Sequence, residues 1–239
     1  MIKINNLTKR YNKDKIVLEN INLEIPNGES IGILGANGSG KSTLVEIIAG
    51  INEQTSGEVL FLNQNNETDK DLKESIGIQF QKGDWPFNTR AVDLLNLLVG
   101  KKWSSSEYIN ELIDIFEVKN IINKRLNECS GGEQQRFNSL LSIIKKPRIL
   151  ILDELITGLD LKMQMKLINF FDELKKKEDI TLIIISHIPE EIEQICKRVI
   201  VLNEGKIYKD AKVVDIVKEH DSVRLFLNKY FKEINNETQ

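Results

Sequence analysis

The nine residues Gly35-Ala36-Asn37-Gly38-Ser39-Gly40-Lys41-Ser42-Thr43 fit the spacing G-x-x-x-x-G-K-S/T. Glycines at these points let consecutive backbone N–H groups turn toward one anion, and a helix starting there adds its partial positive charge. Phosphate is the expected ligand, with Gly35, Asn37, Gly38, Ser39, Gly40 and Thr43 in its cradle. Lys41 would reach the β and γ phosphates as a point charge, and the Ser42 hydroxyl would ligate Mg²⁺. A second constellation is the carboxylate pair Asp153-Glu154, which ends the apolar run Ile149-Leu150-Ile151-Leu152. Asp153 is expected to hold Mg²⁺, directly or through water. Neighbours on a strand point to opposite faces, so Glu154 is given a different task, polarising an attacking water.

A third segment, Cys129-Ser130-Gly131-Gly132-Glu133-Gln134-Gln135-Arg136, precedes a helical face of Phe137, Leu140, Leu141 and Ile144. Ser130 and Glu133 have the spacing of a capping box. A glycine-rich helix start with free N–H groups is also a second anion site, so Ser130, Gly131 and Gly132 join the candidate binding residues.

These groups need elements to hold them. Ser30-Ile31-Gly32-Ile33-Leu34 reads as a strand feeding the phosphate loop, and Leu44, Ile47, Ile48 and Ile51 mark one face of the helix that follows. Ile16-Val17-Leu18, the segment from Ile21 to Ile25 and the segment from Glu58 to Leu62 alternate with turns and predict an antiparallel β-layer. Residues 83–147 turn to a helical pattern, and strand–helix alternation then resumes through Leu182-Ile183-Ile184-Ile185 and Val199-Ile200-Val201-Leu202. Residues 208–232 are expected to dock as helices on the core, with Glu233 onward frayed. The expected architecture is one α/β domain over residues 1–239, a phosphate-loop (P-loop) NTPase core. It has a mostly parallel sheet, an N-terminal antiparallel β-layer and an inserted helical lobe.

The bulk numbers exclude several classes. With 33 basic and 36 acidic residues, the net charge of −3 offers no field for a phosphate backbone, so nucleic acid is not an expected partner. The longest apolar runs fall far short of the roughly 20 residues that cross a bilayer. No secretory signal is apparent at the start of the chain, which makes cytoplasmic residence the default. Cys129 and Cys196 lie far apart and in no metal-binding pattern, so both are expected to be free thiols.

The order of the three constellations is similar to that of the ABC (ATP-binding cassette) ATPase family, whose signature reads L-S-G-G-Q, and the resemblance covers nearly the whole chain. It implies ATP and Mg²⁺ as ligands, with Tyr11 stacking on adenine. Gln81, in Gly77-Ile78-Gln79-Phe80-Gln81, would sense Mg²⁺ and the γ-phosphate, with Gln79 its nearby competitor. His187, after Ser186, would contact the γ-phosphate, and Gly158-Leu159-Asp160 would communicate between two such domains. Glu154, His187, Gln81 and Lys41 are thus the candidate catalytic residues, and Ser42, Gln81 and Asp153 the candidate metal ligands. His220 reads as a surface residue.

The resemblance also implies that each complete site takes Ser130, Gly131 and Gly132 from a second ATP-binding subunit, in a homodimer or a heterodimer. Separate transmembrane permease subunits would hold the chain peripherally on the inner face of the cell membrane. Trp85 and Phe87 are expected to form the groove that receives a membrane partner, and Ile76-Gly77-Ile78-Gln79-Phe80-Gln81 resembles the exporter branch that moves drugs, peptides or polymers. The sequence departs from the family at Cys129 and Glu133, at Leu155-Ile156 where Pro-Thr is common, and at Lys197 where Asp is common. Two other functions stay open at this point. One is a non-transport ABC ATPase with a soluble partner, such as in iron-sulfur cluster assembly, and the other is a nucleotide switch without useful turnover.

Overall fold

The buried apolar runs become the middle of a six-stranded sheet. The computed structural model describes residues 1–12, 15–79 and 85–237. In chain order they form β1 (Ile2–Asn12), β2 (Lys15–Ile25), β3 (Ser30–Gly35), α1 (Lys41–Ile48), β4 (Ser56–Phe61), α2 (Lys70–Glu74), β5 (Ile76–Gln79), α3 (Ala91–Val99), α4 (Glu107–Ile115) and α5 (Gly131–Ile143). There follow β6 (Ile149–Asp153), α6 (Leu161–Lys177), β7 (Thr181–Ile185), α7 (Pro189–Ile195), β8 (Arg198–Asn203), β9 (Lys206–Lys212), α8 (Val213–His220) and α9 (Val223–Glu237).

The large sheet runs β5-β6-β7-β3-β8-β9, parallel except for β9, which lies antiparallel to β8 at one edge. Every residue of β3 and β7 is buried, because parallel strands with both faces covered need apolar side chains on both sides. Alternation assigns the faces. Ile149 and Ile151 pack with α1 and the antiparallel layer, whereas Leu150 and Leu152 pack with α5, α6 and the C-terminal helices. The antiparallel layer is a separate three-stranded sheet in the order β2-β1-β4. The helices α3, α4 and α5 all enter the chain between β5 and β6.

Four expectations change. The two segments expected around Leu18 and Ile25 are one strand, β2, whose burial phase slips where Asn20 takes φ 51° and the ladder with β1 shifts register. Residues 208–212 are not helical but belong to β9, an edge strand whose lysines and Asp210 carry no alternating apolar signal. Helix α9 runs on to Glu237, past the point where fraying was expected. Ile51 lies beyond the end of α1 and is exposed.

Candidate nucleotide site

Sterics dictate the phosphate loop. Gly35 has φ 148°, and a Cβ there would stand 2.2 Å from the Leu202 carbonyl oxygen and 2.7 Å from Ser39 Oγ. Gly40, the cap of α1, has φ 103° and is pressed against Leu18 and the Val17 carbonyl. Among the described residues no side chain caps α1, so its first N–H groups are open to an anion, and Gly38 faces free space. Lys41 is buried and folds back, its Nζ donating to Gly35 O at 2.9 Å and Ala36 O at 3.0 Å. Burial pulls its pKa down, opposed by the carboxylates of Asp153 and Glu154. Ser39 lies beneath the loop, its Oγ buried without a partner among the described residues.

Across the cleft, β6 delivers Asp153 in register with Ile185 of β7. Burial, reinforced by the adjacent Glu154 and opposed by Lys41, pushes the Asp153 carboxyl up to about 6. Strand alternation alone would send Glu154 to the opposite face from Asp153. Instead Glu154 takes φ 56°, its N–H donates to Ile185 O at 2.8 Å, and both carboxylates line one cleft. Such a conformation costs about 1–3 kcal/mol in a non-glycine residue and persists only where neighbours enforce it. One enforcer is Gln135 of α5, whose buried Nε2 donates to Glu154 O at 2.7 Å. The sequence reading missed that residue, and its place one turn into a helix after the Gly131-Gly132 pair was the available signal.

The cleft has a volume of about 600 Å³ and gathers Tyr11, Asn37, Gly38, Gly40, Lys41, Ser42, Thr43, Asp153, Glu154 and His187, together with the unanticipated Lys15, Val17 and Ile185. His187 Nε2 lies 3.5 Å from Glu154 Oε1. Tyr11 stands at the exposed rim, its hydroxyl accepting from Asn52 Nδ2 at 2.7 Å and its ring 4.9 Å from the Lys9 ammonium. Gln81 lies outside the described residues. Its competitor Gln79 is buried, accepts from Ser139 Oγ at 2.7 Å and does not reach the cleft. For Mg²⁺, the Ser42 hydroxyl and the Asp153 carboxylate supply hard oxygen donors of the right class. Among the described residues no group of three His, Cys, Asp or Glu side chains gathers to hold a metal by itself.

The signature segment is elsewhere. Ser130 Oγ accepts from Glu133 N at 3.2 Å and Glu133 Oε2 accepts from Ser130 N at 2.9 Å, which closes the capping box. Glu133 Oε1 also receives Asn120 Nδ2 at 3.1 Å and Lys124 Nζ at 3.5 Å. None of Ser130, Gly131 and Gly132 lines the cleft, and a Cβ on Gly131 would meet nothing within 4 Å. Cys129 is a buried free thiol that fills an apolar position, as do Leu155 and Ile156. Asp160 caps α6 through Met163 N.

Trp85 and Phe87 part company. Trp85 is half-buried against the helical cluster and lines a groove of about 680 Å³ with Ile76, Leu97 and Leu141, whereas Phe87 is exposed and outside it. His220 is half-buried rather than freely exposed, with its ring 5.3 Å from that of Phe226.

The family model described as ABC transporter matches residues 18–157. The chain belongs to the ABC transporter family. It is 32% identical to the glucose import ATP-binding protein GlcV of Saccharolobus solfataricus over 94% of this chain and 66% of that protein, and so spans about two thirds of its length. It is also 32% identical to the nickel import system ATP-binding protein NikE of Staphylococcus aureus, over 90% of this chain and 92% of that protein. Among solved structures, a dimeric ATP-binding cassette in a post-hydrolysis state bound to ADP and Pi is 28% identical, with TM-score 0.75 over 89% of this chain and 98% of that one. The cbiO1 subunit of the cbiONQ ABC transporter complex of Clostridium perfringens is also 28% identical, with TM-score 0.73 over 91% and 90%. These relatives establish the ABC ATPase fold for this chain. The resemblance to the exporter branch finds no support among them, because the curated relatives carry import names.

Proposed function

We propose that this chain binds and hydrolyses ATP, and that two such subunits energise substrate transport through separate transmembrane permease subunits. The observation that carries the reading is the split site. One cleft holds Lys41, Ser42, Asp153, Glu154 and His187 around an uncapped helix start, while Ser130, Gly131 and Gly132 stand outside it, with Gly131 open. In this reading the phosphates of ATP lie on the open N–H groups of α1 with Lys41 as counter-charge, and adenine lies against Tyr11 at the rim. Ser42 and Asp153 hold Mg²⁺, which when bound neutralises phosphate charge. Glu154 takes a proton from the attacking water, and His187, within reach of Glu154, keeps the other side of that water. Ser130, Gly131 and Gly132 of a second subunit cover the nucleotide, and the Ser130 hydroxyl, used by Glu133 N only as an acceptor, keeps its proton to donate outward.

No helix among the described residues is long and apolar enough to cross a membrane, so the permease is a partner rather than part of these residues. The groove beside Trp85, with Leu97 78% exposed, is the proposed seat for that partner at the inner face of the membrane. The import names of the relatives support uptake as the direction. Glu154→Gln should lower ATP turnover by about 10²- to 10⁴-fold while ATP binding persists, and should trap an ATP-bound dimer measurable by light scattering. The same protein, tagged and captured from detergent-solubilised membranes with ATP present, should retain a multi-span membrane protein in stoichiometric amount. Wild-type turnover in the variant would overturn the catalytic assignment. A soluble partner in place of a membrane protein would overturn transport in favour of the assembly-ATPase reading.

A further inference from the structure

Behind the turn that carries His187 sits a carboxyl that the proposed chemistry does not use. Glu191, on α7, is 1% exposed. Its Oε2 accepts from Ser186 Oγ at 2.5 Å, and its Oε1 has no partner among the described residues. Ser186 is itself buried, and the same Oγ accepts from Ile188 N at 2.9 Å. The hydroxyl therefore donates to Glu191 and accepts from Ile188, and the residue enclosed between those two bonds is His187. A half-satisfied buried carboxyl is costly, and an apolar residue of similar volume would pack the sheet face without that cost. Burial, opposed by the Ser186 bond and reinforced by the charge of Glu154, lifts its pKa to about 7.

The neighbours on α7 have different tasks. Glu190 pairs with Arg224, and Ile192 packs against Gly32 on β3. Farther along the chain, Cys196 is a buried thiol that feels the charges of Glu191 and of Lys175 on α6, and the Lys175 ammonium binds Ile195 O and Asp172. None of these gives Glu191 a second partner. Among the described residues, the one polar contact of its carboxyl is the turn that aims the imidazole.

We propose that Glu191 is a positioning residue, which through the Ser186 hydroxyl holds the turn 186–188 so that His187 Nε2 stays within reach of Glu154 in the cleft. The role rests on the ATPase reading given above. His187 itself is about half exposed and, among the described residues, has no hydrogen bond of its own to fix its turn, so the two bonds at Ser186 carry that duty. An amide at position 191 can still accept from Ser186, whereas a methyl cannot.

Steady-state ATPase kinetics on the full chain, with thermal unfolding and ATP binding measured on the same preparations, test the role. Glu191→Ala and Ser186→Ala should each lower kcat by about 10- to 100-fold, the order expected when a reacting group is displaced by an ångström or so, with KM within about twofold. The double variant should be no slower than the worse single one, because both remove one linkage. Glu191→Gln should stay within about threefold of the parent, because its amide oxygen keeps the bond from Ser186; the loss in Ser186→Ala, which leaves the packing of α7 in place, separates the linkage from mere packing. Full kcat per folded molecule in Ser186→Ala, or a Glu191→Gln variant as slow as Glu191→Ala, overturns the proposal. Should Glu191→Ala fail to fold, Ser186→Ala and Glu191→Gln decide between those outcomes. A parent chain that binds ATP without turnover overturns the ATPase reading itself, and is told apart from failure of this proposal because every variant then matches it.

Discussion

At Gly35 a methyl group has nowhere to go, with a carbonyl oxygen 2.2 Å from where it would stand, whereas at Gly131 it would meet nothing within 4 Å. The two glycines belong to the two candidate anion-binding segments, and the contrast extends to the groups around them. The phosphate loop is locked from below by Leu18, Leu202 and a buried Lys41, and it faces carboxylates held by strain and burial. The signature helix satisfies its own start with Ser130 and Glu133, borrows Asn120 and Lys124, and leaves Gly131 open, while Gly132 rests against Gly158 and Leu159. A close-packed glycine is required by the chain that contains it. An open one is spare volume, and its use lies with whatever approaches.

The sharpest way to break the comparison is to place the same methyl on both sides. Gly35→Ala should lower stability by about 1–3 kcal/mol and abolish measurable nucleotide binding, since both φ and the Leu202 carbonyl oppose it. Gly131→Ala should leave the unfolding free energy within about 0.5 kcal/mol of the parent and nucleotide binding intact. ATP-driven dimerisation, followed by light scattering, should weaken about 30-fold, the size of an interface hot spot. Equal loss of stability in the two variants would remove the distinction.

The carboxyls of the two halves sharpen it further. Glu191 is buried with its pKa raised to about 7, so between the unfolded value near 4.5 and about 7 the folded chain holds a proton that the unfolded chain has lost. Stability from this group is complete below about 4.5 and is lost as pH rises through 7. Glu191→Gln, which mimics the protonated form, should therefore match the parent at pH 4.5 and exceed it at pH 8 by about 3 kcal/mol, read from chemical denaturation. Glu133 has the opposite sign. The backbone N–H of Ser130 holds its carboxyl below the usual range, so its contribution is present above about 4.5 and fades as pH falls. The smallest effect is expected at its exposed partner. Lys124→Ala should weaken ATP-driven dimerisation by no more than about fivefold, as for a half-exposed ion pair, and should have no effect in a Glu133→Gln background.

Legibility followed the range of the physics. Loop spacing, the apolar strand before Asp153 and the capping box are set by residues within one turn or strand of each other, and the sequence displays them directly. Misreadings arose where a distant partner decides. Asn20 shifts the phase of β2 only because β1 accommodates the bulge, and β9 is a strand only because β8 offers it an edge. Phe87 looked equivalent to Trp85, yet only Trp85 has the helical cluster to lean on.

The sequence by itself determined which groups carry the chemistry to meet phosphate, metal and water, because glycine spacing, hydroxyl and carboxylate chemistry and helix-start geometry are local properties of the chain. The tertiary structure decided that Lys41, Asp153, Glu154 and His187 share one cleft, that Glu154 turns back into it at φ 56°, and that Glu191 lies buried behind the histidine. It also decided that Ser130, Gly131 and Gly132 stay outside that cleft. These outcomes depend on the strand order β6-β7-β3-β8. Adjacency across a parallel sheet brings together residues more than a hundred positions apart, and spacing along the chain does not encode that distance.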